Sequence, residues 1–157
     1  MEHKNQFSLL PQRRFGPFFA AQLFGAFNDN VYKNALVILV AYHATTYSRI
    51  DPNLLINLAA GLFILPFVLF SASAGQIADK FEKSAIIRVI KAVEIGIMAI
   101  AAVGLMRASL PLMFVALFLL GLHSTFFGPV KYAILPQALT PAELIGGNGL
   151  VEMGTFV

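Results

Sequence analysis

Five polar or ionisable side chains crowd seven consecutive positions: Asn28, Asp29, Asn30, Lys33 and Asn34. They interrupt the otherwise apolar stretch LFGAFNDNVYKNALVILV at 23–40. In hydrocarbon an unsatisfied polar group is expensive, and a charge at the bilayer centre costs at least ~2.5–3.5 kcal/mol. Side chains of this kind inside a span face a bundle interior or a water-filled path. Asp29 and Lys33 stand four apart and share a helix face. Two readings follow. Either the pair neutralises itself while the asparagines bond to neighbouring helices, or this face lines a path that meets an ion or a polar headgroup. Depth favours the second. At 1.5 Å per residue Asp29 lies ~21 Å along the helix from Phe15, inside a ~30 Å hydrocarbon core.

Three further stretches carry chemistry. In HSTFFGPVKYAILPQ, 123–137, the pair Gly128–Pro129 is expected to break or kink its helix. Interrupted helices in transporters mark substrate regions, and Lys131 follows at once. Lys131 either snorkels to the interface or meets substrate. At ~31 Å along its helix from Leu110 it stands near the mouth, so a direct bond to Asp29 is not expected. His123 reads as a hydrogen-bonded packing residue. In GQIADKFEK, 75–83, Gly75 permits a tight helix exit, and Asp79 is placed to accept hydrogen bonds from a neighbouring helix N-terminus. Lys80 and Lys83 face the cytoplasmic surface, and the plain reading is a solvated loop. In RVIKAVE, Arg88, Lys91 and Glu94 recur every three residues, and Lys91 with Glu94 forms a neutralising pair.

Catalysis finds no support here. The chain has no cysteine, no HExxH or second histidine at ligand spacing, no phosphate loop and no nucleophile elbow. No cofactor, metal or catalytic residue is expected. A Lys/Arg-rich run with interleaved aromatics is also missing, which sets nucleic acid aside.

The elements that position these residues are membrane helices. The 157 residues are 58% hydrophobic and 12% charged, with a mean hydropathy of +0.77, whereas a soluble domain is about a quarter charged. Four segments reach the ~20 apolar residues of a span: 15–42, 54–74, 85–106 and 110–135. A fifth helix is expected from 141, with Thr140 as cap, Pro141 in the first helical position and Glu143 completing a capping box. That helix still reads apolar at Val157, so the expectation is a fragment of something longer. One side of the membrane collects Lys4, Arg13, Arg14, Lys80, Lys83, Arg88 and Lys131, the other Arg49 and Arg107. The positive-inside rule then places the N-terminus in the cytoplasm.

Together the motifs resemble a known family. Gly75, Asp79, Lys80 and Lys83 match the loop motif between spans two and three of the major facilitator superfamily, with Glu82 where a glycine is usual. QLFGAFNDN, FGPVKYAILPQ and GGNGLVEMGTF, in that order, are similar to the bacterial lysophospholipid transporter family. The similarity is greatest to versions fused to acyltransferase and acyl-carrier-protein ligase domains. The resemblance covers about Arg14 to Val157. It implies an all-α membrane protein, the N-terminal four to five spans of a twelve-helix fold in the bacterial inner membrane. It further implies inward flipping of lysophospholipids for reacylation, with spans one and four lining the cavity. Asp29 and Lys131 become headgroup or coupling residues, and Asp79 anchors a gating loop. The alternatives are a facilitator for another amphiphile and a membrane anchor for a fused acyltransferase.

Overall fold

The computed structural model describes residues 5–47 and 50–157. Lys4 and Arg49, which entered the charge count, lie outside them. The described residues are helical, with no strand among them: a 3-10 turn Gln6–Leu9, then α1 Gly16–Tyr47, α2 Pro52–Lys80, α3 Lys83–Met106, α4 Leu110–Ala133, α5 Leu135–Ala138 and α6 Leu144–Thr155. Pro52–Lys80, Lys83–Met106 and the run Leu110–Ala138 are long and apolar enough to cross a membrane. The backbone of α1 leaves the helical region at His43 (φ −127°, ψ 20°), and the stretch before that kink has the length of a span, but its polar 28–34 segment keeps it out of that apolar group. The chain is an all-α membrane protein.

The described residues form two compact units, one from 5–31 and 131–157, the other Tyr32–Val130. In the second unit, Tyr32, Leu36, Leu55, Ala59, Ile97, Ala101 and the α4 stripe Met113, Ala116, Leu117, Leu120 make one core. Tyr32 ties into it by donating its hydroxyl to Met113 O at 2.9 Å. Large apolar side chains also point outward, Val68 and Ile95 at 74% exposure; with hydrocarbon as the solvent these carry no penalty. Helices α4 and α2 approach closely at Gly121. A Cβ there would strike the Phe63 carbonyl oxygen of α2, with the carbonyl carbon at 3.0 Å and Cα at 3.2 Å. Small residues at such crossings let membrane helices gain dispersion contact. The α3–α4 corner closes as Ser109 N donates to Gly104 O at 2.9 Å, while Ala108 takes the left-handed conformation at φ 49°, a helix stop usually given to glycine.

Four expectations need correction. First, Gly75 does not end α2, which continues to Lys80. The residues after it, Gln76 to Lys80, are mostly good helix formers, Ala78 is buried, and Lys80 in the last turn suits the helix dipole. The loop shrinks to Phe81–Glu82. Second, the stretch read as a plain solvated loop contains the cap of α3, which is Glu82. Its carboxylate accepts from Ser84 N at 2.9 Å and Ala85 N at 2.6 Å, because it occupies the cap position while Asp79 is still inside α2. Third, Gly128–Pro129 does not break α4, which runs through both to Ala133. The clash that proline imposes on its predecessor involves that residue's Cβ, and Gly128 has none; the chain turns instead at Ile134. Fourth, the last helix begins at Leu144 rather than 141. Half the capping box forms, since Glu143 Oε2 accepts from Thr140 N at 3.0 Å. The other half fails because the Thr140 hydroxyl donates to that carboxylate at 2.8 Å instead of accepting from a backbone N–H.

Candidate functional site: a polar cluster in the first unit

The first unit stands on an apolar base of Leu9, Phe15, Phe19, Leu135, Leu139, Leu150 and Val151. A set of polar side chains rises from it. Gln22 of α1 is 2% exposed, and its Nε2 donates to Val151 O at 3.2 Å and to Thr155 Oγ1 at 2.9 Å. Lys131, at the end of α4, donates from Nζ to the same Thr155 Oγ1 at 3.0 Å. The Thr155 hydroxyl passes its own proton back to Val151 O at 2.8 Å. One hydroxyl therefore accepts from an amide and an ammonium and donates to a carbonyl, which uses its full capacity. Next to it the Tyr132 hydroxyl donates to Glu152 Oε1, and the Lys131 ammonium lies 4.8 Å from the Tyr132 ring centroid.

Asp29 stands seven residues beyond Gln22, two turns along the same face of α1. Asn28 and Asp29 are half-buried and engaged with neighbours. Asn30 donates from Nδ2 to Val157 O at 2.7 Å. The half-buried Gln22 neighbour set leaves one acceptor open: Gln22 Oε1 is buried with no hydrogen-bond partner among the described residues. Chemically the cluster offers a cation at Lys131, a carboxylate at Glu152, and a fixed hydroxyl and amide between helices; Asp29 adds a carboxylate two turns along α1 from Gln22. Such a set suits a zwitterionic or anionic headgroup better than an apolar ligand.

The sequence candidates divide between the units. Asn28, Asp29, Asn30 and Lys131 fall in the first. Lys33 belongs to the second, where its ammonium lies 4.4 Å from the Phe63 ring centroid. Gly75, Asp79, Lys80, Lys83, Gly128 and Pro129 are also in the second, with Asp79 and Lys80 exposed. Sequence reasoning missed Gln22, Tyr132, Glu152 and Thr155. The available signal was Gln22 at helical spacing before Asp29, and Glu152 with Thr155 at i,i+3 in an apolar helix.

A second network holds the ends of this unit together. Arg14 donates from Nη2 to both carboxylate oxygens of Glu143, at 2.7 and 2.8 Å, and from Nη1 to Ala138 O at 3.1 Å. The Thr140 backbone N–H, its hydroxyl and then Arg14 hold the Glu143 carboxyl at about 2, against an ordinary 4.5. Because the folded value is depressed, the stabilisation is complete above the ordinary value, about 4.5, and is lost as pH falls toward 2. Protection of the Leu144 and Gly147 amides in the first turn of α6, taken relative to the intrinsic exchange rate at each pH, should therefore fall on acidification through that window. Glu143→Gln should show low protection already at neutral pH, with little pH dependence.

These features define a segment of a helical, multi-pass membrane protein with a polar cluster set among its helices. The chain is homologous to the lysophospholipid transporters. It is 30% identical over 136 residues to the lysophospholipid transporter LplT of Salmonella newport (strain SL254), which covers 87% of this chain and 31% of that relative. The same figures hold for LplT of Salmonella typhi. The chain thus spans 31% of the length of the curated relatives it matches. No protein-family model matches it, and no solved structure does.

Proposed function

We propose that this chain is the N-terminal portion of a transporter that moves lysophospholipids inward across the bacterial inner membrane for reacylation. The carrying observation is the similarity to lysophospholipid transporters over 87% of the chain. The polar cluster of Gln22, Lys131, Glu152 and Thr155, with Asp29 farther along α1, supports it, because a zwitterionic headgroup needs a cation for its phosphate and an anion for its amine. The apolar, Phe-rich helix surfaces (15 Phe, no Trp) suit the acyl chain. In this reading the N-terminus is cytoplasmic, and Asp79, Lys80 and Lys83 line the cytoplasmic α2–α3 turn. An acyltransferase, fused or associated, consumes the delivered lipid. The test uses spheroplasts of a strain lacking its own lysophospholipid uptake. Expression of the full-length protein should restore uptake of labelled lysophosphatidylethanolamine. Uptake that stays at the level of the empty vector would sink the reading.

A further inference from the structure

In the second unit three ionisable side chains meet where two would suffice. Lys91 Nζ lies 2.7 Å from Glu94 Oε2, less than one turn away on α3, and that pair is electrically complete. His123 of α4 nonetheless brings Nε2 to 3.4 Å from the same oxygen. Glu94 is 8% exposed and His123 7%, inside helices that have the length and composition of spans. Ionisable groups so placed are functional by default, and His123 adds nothing to the neutrality that Lys91 already supplies. It is the one member whose charge changes near physiological pH.

The ring's surroundings assign its two nitrogens. Both ring nitrogens are buried and neither has a hydrogen-bond partner among the described residues. Nε2 lies nearer the Glu94 carboxylate, at 3.4 Å, which favours the tautomer with its proton on Nε2 and leaves the Nδ1 lone pair available. His123 also forms part of the wall of an apolar groove of about 490 Å³ between α3 and α4, beside Val93, Ile97, Leu119 and Leu122. Its ring stacks on Phe127, centroids 6.3 Å apart at 11°, and the Lys91 ammonium lies 4.8 Å from the same Phe127 centroid.

We propose that His123 is a membrane-embedded proton-binding site, with Glu94 as its counter-charge and Nδ1 as the atom that takes the proton. Hydronium gives a proton to Nδ1 and leaves as water, the triad passes from neutral to a single positive charge, and return of the proton to water restores the neutral imidazole. Among the described residues the charged groups that meet it are Glu94, directly, and Lys91, through Glu94 and Phe127. Two opposing influences set the site. Glu94 draws the proton in, while Lys91 pushes it away. The site is independent of the substrate named above, since it rests on the second unit alone.

The test follows ring nitrogen shifts of the full-length protein, labelled with 15N-histidine, from about pH 8 to pH 5, the range in which an imidazole charges. His123 is assigned by its loss in His123→Gln. Its ring should pass from an Nε2–H tautomer to an imidazolium across that range. Glu94→Gln should lower the midpoint, as expected for losing a neighbouring opposite charge. Lys91→Met should raise it. A ring that stays neutral throughout would overturn the proposal, and so would a midpoint that neither substitution moves. Should Glu94→Gln fail to fold, Lys91→Met decides alone. No arm depends on lipid transport, so a failed uptake assay leaves the proton site standing.

Discussion

On the proposed function, Lys131→Met in the full-length protein should lower lysophosphatidylethanolamine uptake by roughly 10- to 100-fold. A hydrogen bond to a charged group contributes ~1.5–3 kcal/mol, and every ~1.4 kcal/mol is tenfold. Methionine keeps the unbranched stem and removes the ammonium, so packing against Tyr132 survives. Thr155→Val is the companion measurement. It leaves the charge but removes the oxygen that Lys131 and Gln22 both donate to, so uptake should fall less, by about tenfold at most on the same scale. Asp29→Asn should also reduce uptake, since it deletes a charge at nearly constant shape. Wild-type uptake in both Lys131→Met and Asp29→Asn would mean that Lys131 only snorkels, and that Asp29 serves the fold.

Gly121→Ala should be the most damaging single methyl in the second unit. The added carbon would meet backbone of α2, including the Phe63 carbonyl oxygen, and backbone cannot rotate away as a side chain can. The helices must separate along a core built from Leu55, Ala59, Ala116, Leu117 and Leu120. Overpacking of this kind costs typically ~1–3 kcal/mol, occasionally more. Gly61→Ala, on α2 with nothing within 4 Å of its Cβ, is the control. There the helix gains ~0.5–1 kcal/mol of propensity. Melting followed by circular dichroism in detergent should show Gly121→Ala well below wild type and Gly61→Ala at or above it. Equal melting of the two would refute the close-contact account.

The helices were legible because their apolar runs are long, and the polar segment was legible because it contradicts its setting. Helix ends were harder. Glu82 looked like a misplaced residue in a loop motif, yet a carboxylate at that position reaches two free N–H groups, a geometry that spacing alone does not reveal. Gly128–Pro129 looked like a break because proline deletes one helix bond, but the glycine before it relieves the steric half of the problem. The partners of Lys131 were hidden for a different reason. Thr155 is 24 residues away in sequence and Gln22 lies 133 residues from Thr155, so only the packed chain brings them to one oxygen. The pairing of Lys91 with Glu94 was local and therefore visible, whereas the approach of His123 from α4 was not.

The two-residue link between α2 and α3 has a mechanical meaning. Two residues span at most ~7 Å when fully drawn out, and Glu82 already spends its side chain on Ser84 N and Ala85 N. No slack remains for one helix to slide along the other at that end. With Phe81 and Glu82 already extended, any sliding of α2 along its axis at that end must carry the start of α3 with it, so the link sets a limit on how far the two helices can move past each other.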